Sequence, residues 1–220
     1  MRWCAGAAVL ALVLLPGVAF AQAAESARFE VSGGLRWFGP SGFGTVAANQ
    51  TVLGGGTRRV FSSDTTLDGS MGAGTSVSYR VARAVRVEAA VAYNPTGLST
   101  RLSGDVEGVA NTVARAPVTQ FLFEGGLLAA GRRRGPVTPF VTGGAGYLRQ
   151  LNDGRTLVET GRSYYAGAGL YYVRASAHPR RVKAIGARVD LRAVFLRDGV
   201  APDSTIRGVP AVTAALFARF

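Results

Sequence analysis

Apolar and polar residues alternate along eight segments of this 220-residue chain, and no other feature limits its fold so strongly. In the first segment, RFEVSGGLRWF, Phe29, Val31, Leu35 and Trp37 share one face and mostly polar residues share the other. A period of two indicates a β-strand, because successive side chains leave opposite faces of the pleat. Matched segments joined by short links such as Ala82–Ala84 indicate hairpins. The sequence therefore predicts an all-β antiparallel protein.

The N-terminal residues predict export. Arg2 precedes the apolar run AGAAVLALVLLPGVAF, and AFA at residues 19–21 is the small-residue pattern that signal peptidase cleaves. The run is shorter than the roughly 20 residues that a membrane-spanning helix needs. We therefore expect a secretory signal peptide at residues 1–21 and one exported domain at residues 22–220. Cys4, the only cysteine, lies in the expected peptide, so the mature domain has no disulfide.

The charge is strongly positive, +12 over the whole chain, and Lys183 is the only lysine. Such basicity often indicates a nucleic-acid binder. Here the arginines are spread singly along the alternating segments, and the one tight run, Arg132–Arg134, falls in a turn. An exported chain also does not meet cytoplasmic nucleic acid. We expect no nucleic-acid partner, and outer-membrane lipid with anionic head groups suits the charge better.

The links between segments alternate in length. Short links such as ARA, GRRRGP and RASAHPRRV alternate with long polar ones at Gly39–Thr66, Thr96–Arg115 and Arg197–Arg207. Short turns at one end and long loops at the other are typical of an outer-membrane barrel. The segments predict an eight-stranded antiparallel transmembrane β-barrel. Ten strands is the alternative, if Thr45–Leu53 and Leu98–Val109 also pair.

The polar faces favour this barrel over a water-soluble two-sheet sandwich, which is the other fold that could bury one apolar face. They carry charges of both signs beside many glycines, which suits the narrow interior of an eight-stranded barrel. The apolar faces carry aromatics near their ends, as at the two interfaces of a bilayer. A closed barrel also satisfies every backbone group without water. The expected interior charges are Glu30, Arg36, Arg80, Arg86, Glu88, Glu124, Arg188, Asp190, Arg192 and Arg219, and the expected interface aromatics are Trp37, Tyr79, Tyr93 and Tyr147.

Several of these features together resemble a known family. The export signal, the period-two segments, the strand PFVTGGAGYLRQL and the aromatic Phe220 with its alternating neighbours resemble small outer-membrane β-barrel proteins of the OmpA/OmpX type. The resemblance implies eight antiparallel strands over essentially the whole mature chain. It also implies that Phe220 and the last strand are the signal read by the barrel-assembly machinery, a partner during biogenesis. It supports architecture more than activity.

The inward charges lead to two expectations about function. In a closed barrel they form a paired network, because an unpaired charge in a confined interior is costly. In a pore they line water and select anions, because arginines outnumber carboxylates. At eight strands we expect the closed interior, and hence a structural or surface-interaction role. A narrow anion-preferring or small-solute pore is the alternative.

Enzymatic and cofactor chemistry find little support. An outer-membrane enzyme that modifies lipid A is a third alternative, and it depends on His178, the only histidine, in the basic turn SAHPRR. The glycine-rich stretches GGAGY and GAGLYY do not continue as nucleotide-binding fingerprints. A zinc site needs three or four N, S or O ligands, and one histidine without a cysteine supplies too few of the usual ones. We expect no enzymatic activity, no cofactor and no metal. The long loops could bind an extracellular partner, which the sequence does not identify.

Overall fold

Ten antiparallel strands account for the secondary structure in the described part of the chain. The computed structural model describes residues 27–51, 56–103, 112–152, 156–176, 181–199 and 205–220. The strands are β1 (Phe29–Phe38), β2 (Ser41–Thr51), β3 (Thr57–Leu67), β4 (Ser70–Arg80), β5 (Val85–Ser103), β6 (Thr112–Ala130), β7 (Val137–Asn152), β8 (Leu157–Ala175), β9 (Ala184–Asp198) and β10 (Arg207–Arg219). No helix among these residues is long and apolar enough to cross a membrane. The expected signal peptide and His178 lie outside the described residues.

Eight of the strands close into a ring. Their order is β1-β4-β5-β6-β7-β8-β9-β10, and β10 returns to pair with β1 from Glu30↔Arg219 to Phe38↔Ala211. Closure leaves no ring strand with an unpaired edge, which is the condition for a sheet in hydrocarbon. The prediction of an eight-stranded antiparallel barrel is confirmed for this ring.

The remaining two strands lie outside the ring. β2 and β3 continue β1 and β4 past short breaks at Gly39–Pro40 and Asp68–Gly69, and they pair with each other as a hairpin. β3 also pairs with the far part of β5, from Ser62↔Ser103 to Leu67↔Leu98. β2, β3 and the far halves of β5 and β6 thus form a sheet that extends beyond the ring, called here the extension. The ten-strand alternative was therefore correct in number, although Leu98–Ser103 pairs with β3 and β6 rather than with β2.

The ring has two distinguishable ends. The links between β4 and β5, β6 and β7, and β8 and β9 lie at one end, called the turn end. The extension and the links between β7 and β8 and between β9 and β10 lie at the opposite end, called the loop end. All the short links named from the sequence fall at the turn end.

The outward face of the ring is apolar. On β10, for example, Leu216 is 72% exposed while its neighbour Phe217 is 4% exposed and points inward. On β9 the outward apolar residues run from Ile185 to Phe195. At about 3.3 Å per residue and a tilt of about 40°, this stretch rises roughly 25 Å, the height of the apolar band of outer-membrane barrels.

Candidate functional site

The lumen of the ring contains a layer of buried charges. Five arginines and four carboxylates, all at most 9% exposed, project into it because they occupy inward positions of alternating strands. Arg80 has the same orientation at the turn end but is only half-buried. The nine buried members are Glu30, Arg36, Arg86, Glu88, Glu124, Arg188, Asp190, Arg192 and Arg219. The ten charges named from the sequence thus fall on the inward face.

Glu124 is held by two arginines from different strands. Arg36 Nη1 and Nη2 donate hydrogen bonds to its two carboxylate oxygens, at 2.6 and 2.9 Å. Arg192 Nη1 donates to Glu124 Oε2 at 3.3 Å. The Arg36 pair is bidentate, the geometry in which guanidinium and carboxylate bind most strongly.

Arg192 joins this pair to the centre of the layer. Its Nε donates to Asp190 Oδ1 at 2.6 Å, and its Nη2 lies 3.5 Å from Glu88 Oε1. Glu88 also receives a bidentate pair from Arg188 and a hydrogen bond from Ser76 Oγ at 3.3 Å. One arginine therefore contacts three carboxylates, and the layer is a connected network rather than a set of separate pairs.

Glu30 organises the turn-end side of the layer. Arg219 Nε donates to Glu30 Oε2 at 2.7 Å, and the Tyr171 hydroxyl donates to Oε1 at 2.9 Å. Arg188 and Arg86 lie 4.0 and 3.9 Å from the same carboxylate. Glu30 thus compensates several cations, and the nine buried charges leave a surplus of one positive charge.

Two apolar layers flank most of the charges, while Arg86 lies in register with Leu128 of the turn-end layer. The loop-end layer consists of Phe38, Ala92, Leu122, Leu148, Tyr165, Val194, Leu196, Val209 and Ala211. The turn-end layer consists of Leu128, Phe140, Tyr171, Val173, Ala184 and Phe217, with Ala130 packed against it.

Aromatic rings connect each apolar layer to the charges. In the turn-end layer Tyr171 lies between Phe140 and Phe217, with ring centroids 4.7 and 5.2 Å away. The Arg219 guanidinium lies 4.8 Å from the Phe217 ring centre, and Arg192 lies 4.7 Å from that of Tyr165 in the loop-end layer. Cation–π contacts of this kind favour a desolvated guanidinium. The lumen is therefore stratified as apolar, charged and apolar.

Glycines make the loop-end layer possible. A Cβ at Gly126 would lie 2.3 Å from the Tyr165 hydroxyl oxygen, and one at Gly144 would lie 2.8 Å from it. Only glycine leaves room for the tyrosine ring against β6 and β7 at this height. The inward glycines were expected to make room for charges. Gly146 and Gly167 do so, since a Cβ there would lie 3.0 Å from Glu124 Cγ and 2.9 Å from Arg192 Cγ, whereas Gly126 and Gly144 make room for an aromatic ring.

Two small cavities lie between side chains of the ring. One cavity of about 30 Å³ lies beside Arg36, Arg192 and Thr213, and another of about 10 Å³ lies at the loop end beside Phe43 and Asp198. A single water needs roughly 10–15 Å³. Arg36 Nε and Thr213 Oγ1 have no protein partner, so the larger cavity has the polar lining that a buried water requires.

The described residues contain no candidate metal site. No group of three or more His, Cys, Asp or Glu side chains among them could hold a metal ion. Sequence reasoning missed the two apolar layers, although Leu122 and Leu128 were already visible as apolar residues on a polar face. The arrangement fits a role in closing and stabilising the lumen.

The expected interface aromatics face outward, near both ends of the apolar band. Trp37, Tyr93 and Tyr147 lie towards the loop end, and each is between 37 and 47% exposed. Tyr79 lies at the turn end, with its ring centroid 5.0 Å from that of Phe29. Phe220 is exposed at the same end, where its backbone N–H donates to the Phe29 carbonyl at 2.9 Å.

Comparison with known proteins identifies the fold. No protein-family model and no curated protein matches the sequence. The crystal structure of the outer membrane protein OprG from Pseudomonas aeruginosa is similar, with 13% identity, a TM-score of 0.51, and coverage of 89% of this chain and 97% of that one. Neisserial surface protein A (NspA) is also similar, with 11% identity, a TM-score of 0.55, and coverage of 87% and 97%. The chain thus has the fold of small outer-membrane β-barrels.

Proposed function

We propose that this protein is an integral bacterial outer-membrane barrel with a closed lumen and a structural or surface-interaction role. An apolar outward band of roughly 25 Å suits a bilayer, and the ring has no free edge. The fold of OprG and NspA supports the same membrane. The proposal includes export through a signal peptide at residues 1–21 and recognition of Phe220 by the barrel-assembly machinery.

The closed lumen depends on one observation, which is the order of its layers. An ion crossing the ring would have to pass two apolar layers and displace paired charges between them. The cavities found there hold one or a few waters, which is far less than a hydrated path through the ring needs. A filled interior is also what eight strands allow.

The surface-interaction role depends on the extension. There the regular alternation of buried and exposed residues is lost, as in β3 with its pattern eeeieiieiiB, because both faces of the sheet meet water. A sheet that projects beyond the membrane presents its loops on a rigid support, where binding residues are often found. The proposal names no partner for this surface. It also includes no enzymatic activity for His178.

The pore is the second candidate, and the surplus of positive charge in the lumen favours anions for it. Planar-bilayer recordings of the purified full chain distinguish the two. We expect no conductance steps under conditions in which a general porin in the same bilayer conducts. Steady, anion-selective conductance steps would contradict the closed barrel and support the narrow pore.

A gel assay tests the membrane barrel itself. Closed barrels resist unfolding in detergent, so we expect unboiled protein to migrate differently from boiled protein on a denaturing gel. Identical mobility, together with solubility in the absence of detergent, would instead indicate an exported soluble sheet protein. A lipid A modification assay with His178→Ala as the comparison tests the enzymatic alternative, and we expect no activity in either protein.

A further inference from the structure

Three arginines lie close together on the outward face at the loop end. Arg149 on β7, Arg162 on β8 and Arg197 on β9 are all exposed. Arg162 pairs in register with Tyr147 on one side and directly with Arg197 on the other. Arg149 lies directly opposite Thr160, which places Arg149 diagonally across from Arg162. Since directly opposed residues have Cβ atoms about 4.5–5.5 Å apart and diagonal ones about 7–8 Å apart, these side chains form one group, called the outer arginine cluster.

Among the described residues, the outer arginine cluster has no counter-charge on its own face. The outward positions of β7, β8 and β9 contain no Asp or Glu within their described spans. The carboxylates of these strands nearest the loop end, Glu159 and Asp198, occupy inward register positions. None of the three guanidinium groups forms an ion pair with another described residue. Like charges directly opposite each other are unfavourable, so an anion bound to the cluster would relieve their repulsion.

Aromatic residues lie beside the cluster and next to it on the side of the membrane centre. Phe123, Tyr147, Tyr164 and Phe195 are outward and 41–47% exposed. Tyr164 opposes Phe195, and the ring centroids of Phe123 and Tyr147 are 6.4 Å apart. Aromatic belts mark the level of the lipid head groups. The cluster therefore lies at the head-group level of the leaflet on the loop side.

Small residues follow below the aromatics on the same face. Gly143, Ala145, Ala166, Ala168 and Ala193 are neighbours across β7, β8 and β9, and Gly143↔Ala166 and Ala166↔Ala193 are direct pairs. Larger outward side chains surround them above and below. The wall thus has a shallow apolar depression beneath a row of cations, which matches the outline of a lipid with its chains below its head group.

We propose that this face binds a phosphorylated glycolipid of the lipid A class, with its phosphate groups on the outer arginine cluster and its acyl chains in the depression. Guanidinium groups recognise phosphate bidentately. The three cations spread over two inter-strand spacings, roughly 10 Å. A single phosphodiester would leave most of their charge unbalanced, whereas two phosphomonoesters on one head group balance it. The inference rests on the proposed function, because it takes the loop side as the outer leaflet.

Arg174 provides a matched control. It lies on the same strand and the same outward face as Arg162, but at the turn end, where the opposite leaflet has its head groups. The test compares the full-length mature chain with a triple variant, Arg149→Thr, Arg162→Thr and Arg197→Thr, and with Arg174→Thr. Each protein is refolded in zwitterionic detergent, and its heat-dependent gel mobility is measured first.

The binding measurement titrates each folded protein with hexa-acylated bisphosphoryl lipid A in mixed micelles. We expect the triple variant to bind at least tenfold more weakly than the parent, and Arg174→Thr to change affinity less than twofold. Lipid A stripped of its phosphates should bind the parent as weakly as intact lipid A binds the triple variant. Equal binding by parent and triple variant would overturn the site, and so would equal competition by phosphatidylglycerol. Parent protein without a heat-dependent mobility shift would contradict the proposed function instead.

Discussion

Arginine occurs in two regions of this barrel under opposite conditions. Each of the five buried lumen arginines has a carboxylate within 4.0 Å, as in the 2.6 Å contact between Arg36 and Glu124. The three arginines of the outer cluster have no such partner among the described residues. The lumen arginines are desolvated, whereas those of the cluster are exposed at the edge of the apolar band.

The difference shows where each charge finds its compensation. A buried charge without a partner costs several kcal/mol, so the chain must supply the lumen carboxylates itself. A charge at the head-group level meets water and lipid phosphate, so the environment supplies the counter-charge. Removal of a charge should therefore affect folding in the lumen and lipid binding on the outer wall.

The largest expected effect is that of removing a lumen carboxylate. Glu88→Ala leaves Arg188 without its bidentate partner and takes a contact from Arg192, so we expect a loss of about 3–5 kcal/mol in the free energy of unfolding. Urea titration of the barrel in lipid vesicles, followed by the fluorescence of Trp37, measures it. Glu159→Ala, near the loop end, is the control and should change stability by less than about 0.5 kcal/mol. Equal effects of both variants would mean that the connected charges of the lumen matter no more to stability than a half-buried carboxylate at its loop end.

Removing both members of the pair should cost less than removing one. In the double variant Glu88→Leu with Arg188→Met, neither charge remains unpaired, and apolar side chains of similar length occupy the space. We expect a loss of about 1–2 kcal/mol, since buried pairs replaced by apolar residues are often nearly neutral. A double-mutant cycle with both single variants gives the coupling energy. Simple addition of the two single losses would show that the residues act independently.

The sequence predicted the ring and the inward charges because a membrane barrel has a different environment on each face. Lipid outside and a packed lumen inside enforce alternation, and β1 shows it in the burial pattern eBeBeieBeB. The same rule failed for Gly39–Thr66, which was expected to be a loop and instead forms most of β2 and β3. Both faces of these strands meet water, so no periodic pattern was required of them.

The contacts inside the lumen could not be predicted for a different reason. Arg36 and Glu124 meet although 88 positions separate them, because closure and stagger of the ring bring β1 and β6 to the same height. Stagger is not visible in alternation. The tyrosine pairs of SYYAGAGLYYV were ambiguous as well, since each pair places one ring on each face and either register fits. In the structure Tyr165 and Tyr171 point inward.

The smallest expected effect has a sign that depends on the lipid. Arg162→Thr removes the direct opposition to Arg197, so in phosphate-free detergent we expect a gain of a few tenths of a kcal/mol, and at most about 1 kcal/mol, in stability. With bisphosphoryl lipid A present the same variant should be less stable than the parent, because a ligand that binds only the folded state stabilises it. Arg174→Thr should show no such reversal.

Urea titration with and without lipid A measures both signs in one preparation. A gain in both conditions would mean that the two arginines merely repel each other and that no phosphate joins them. A loss in both would mean that the Arg162 side chain stabilises the wall through its own packing. Only a reversal of sign supports the view that the lumen charges are compensated by the chain and the outer arginines by the membrane.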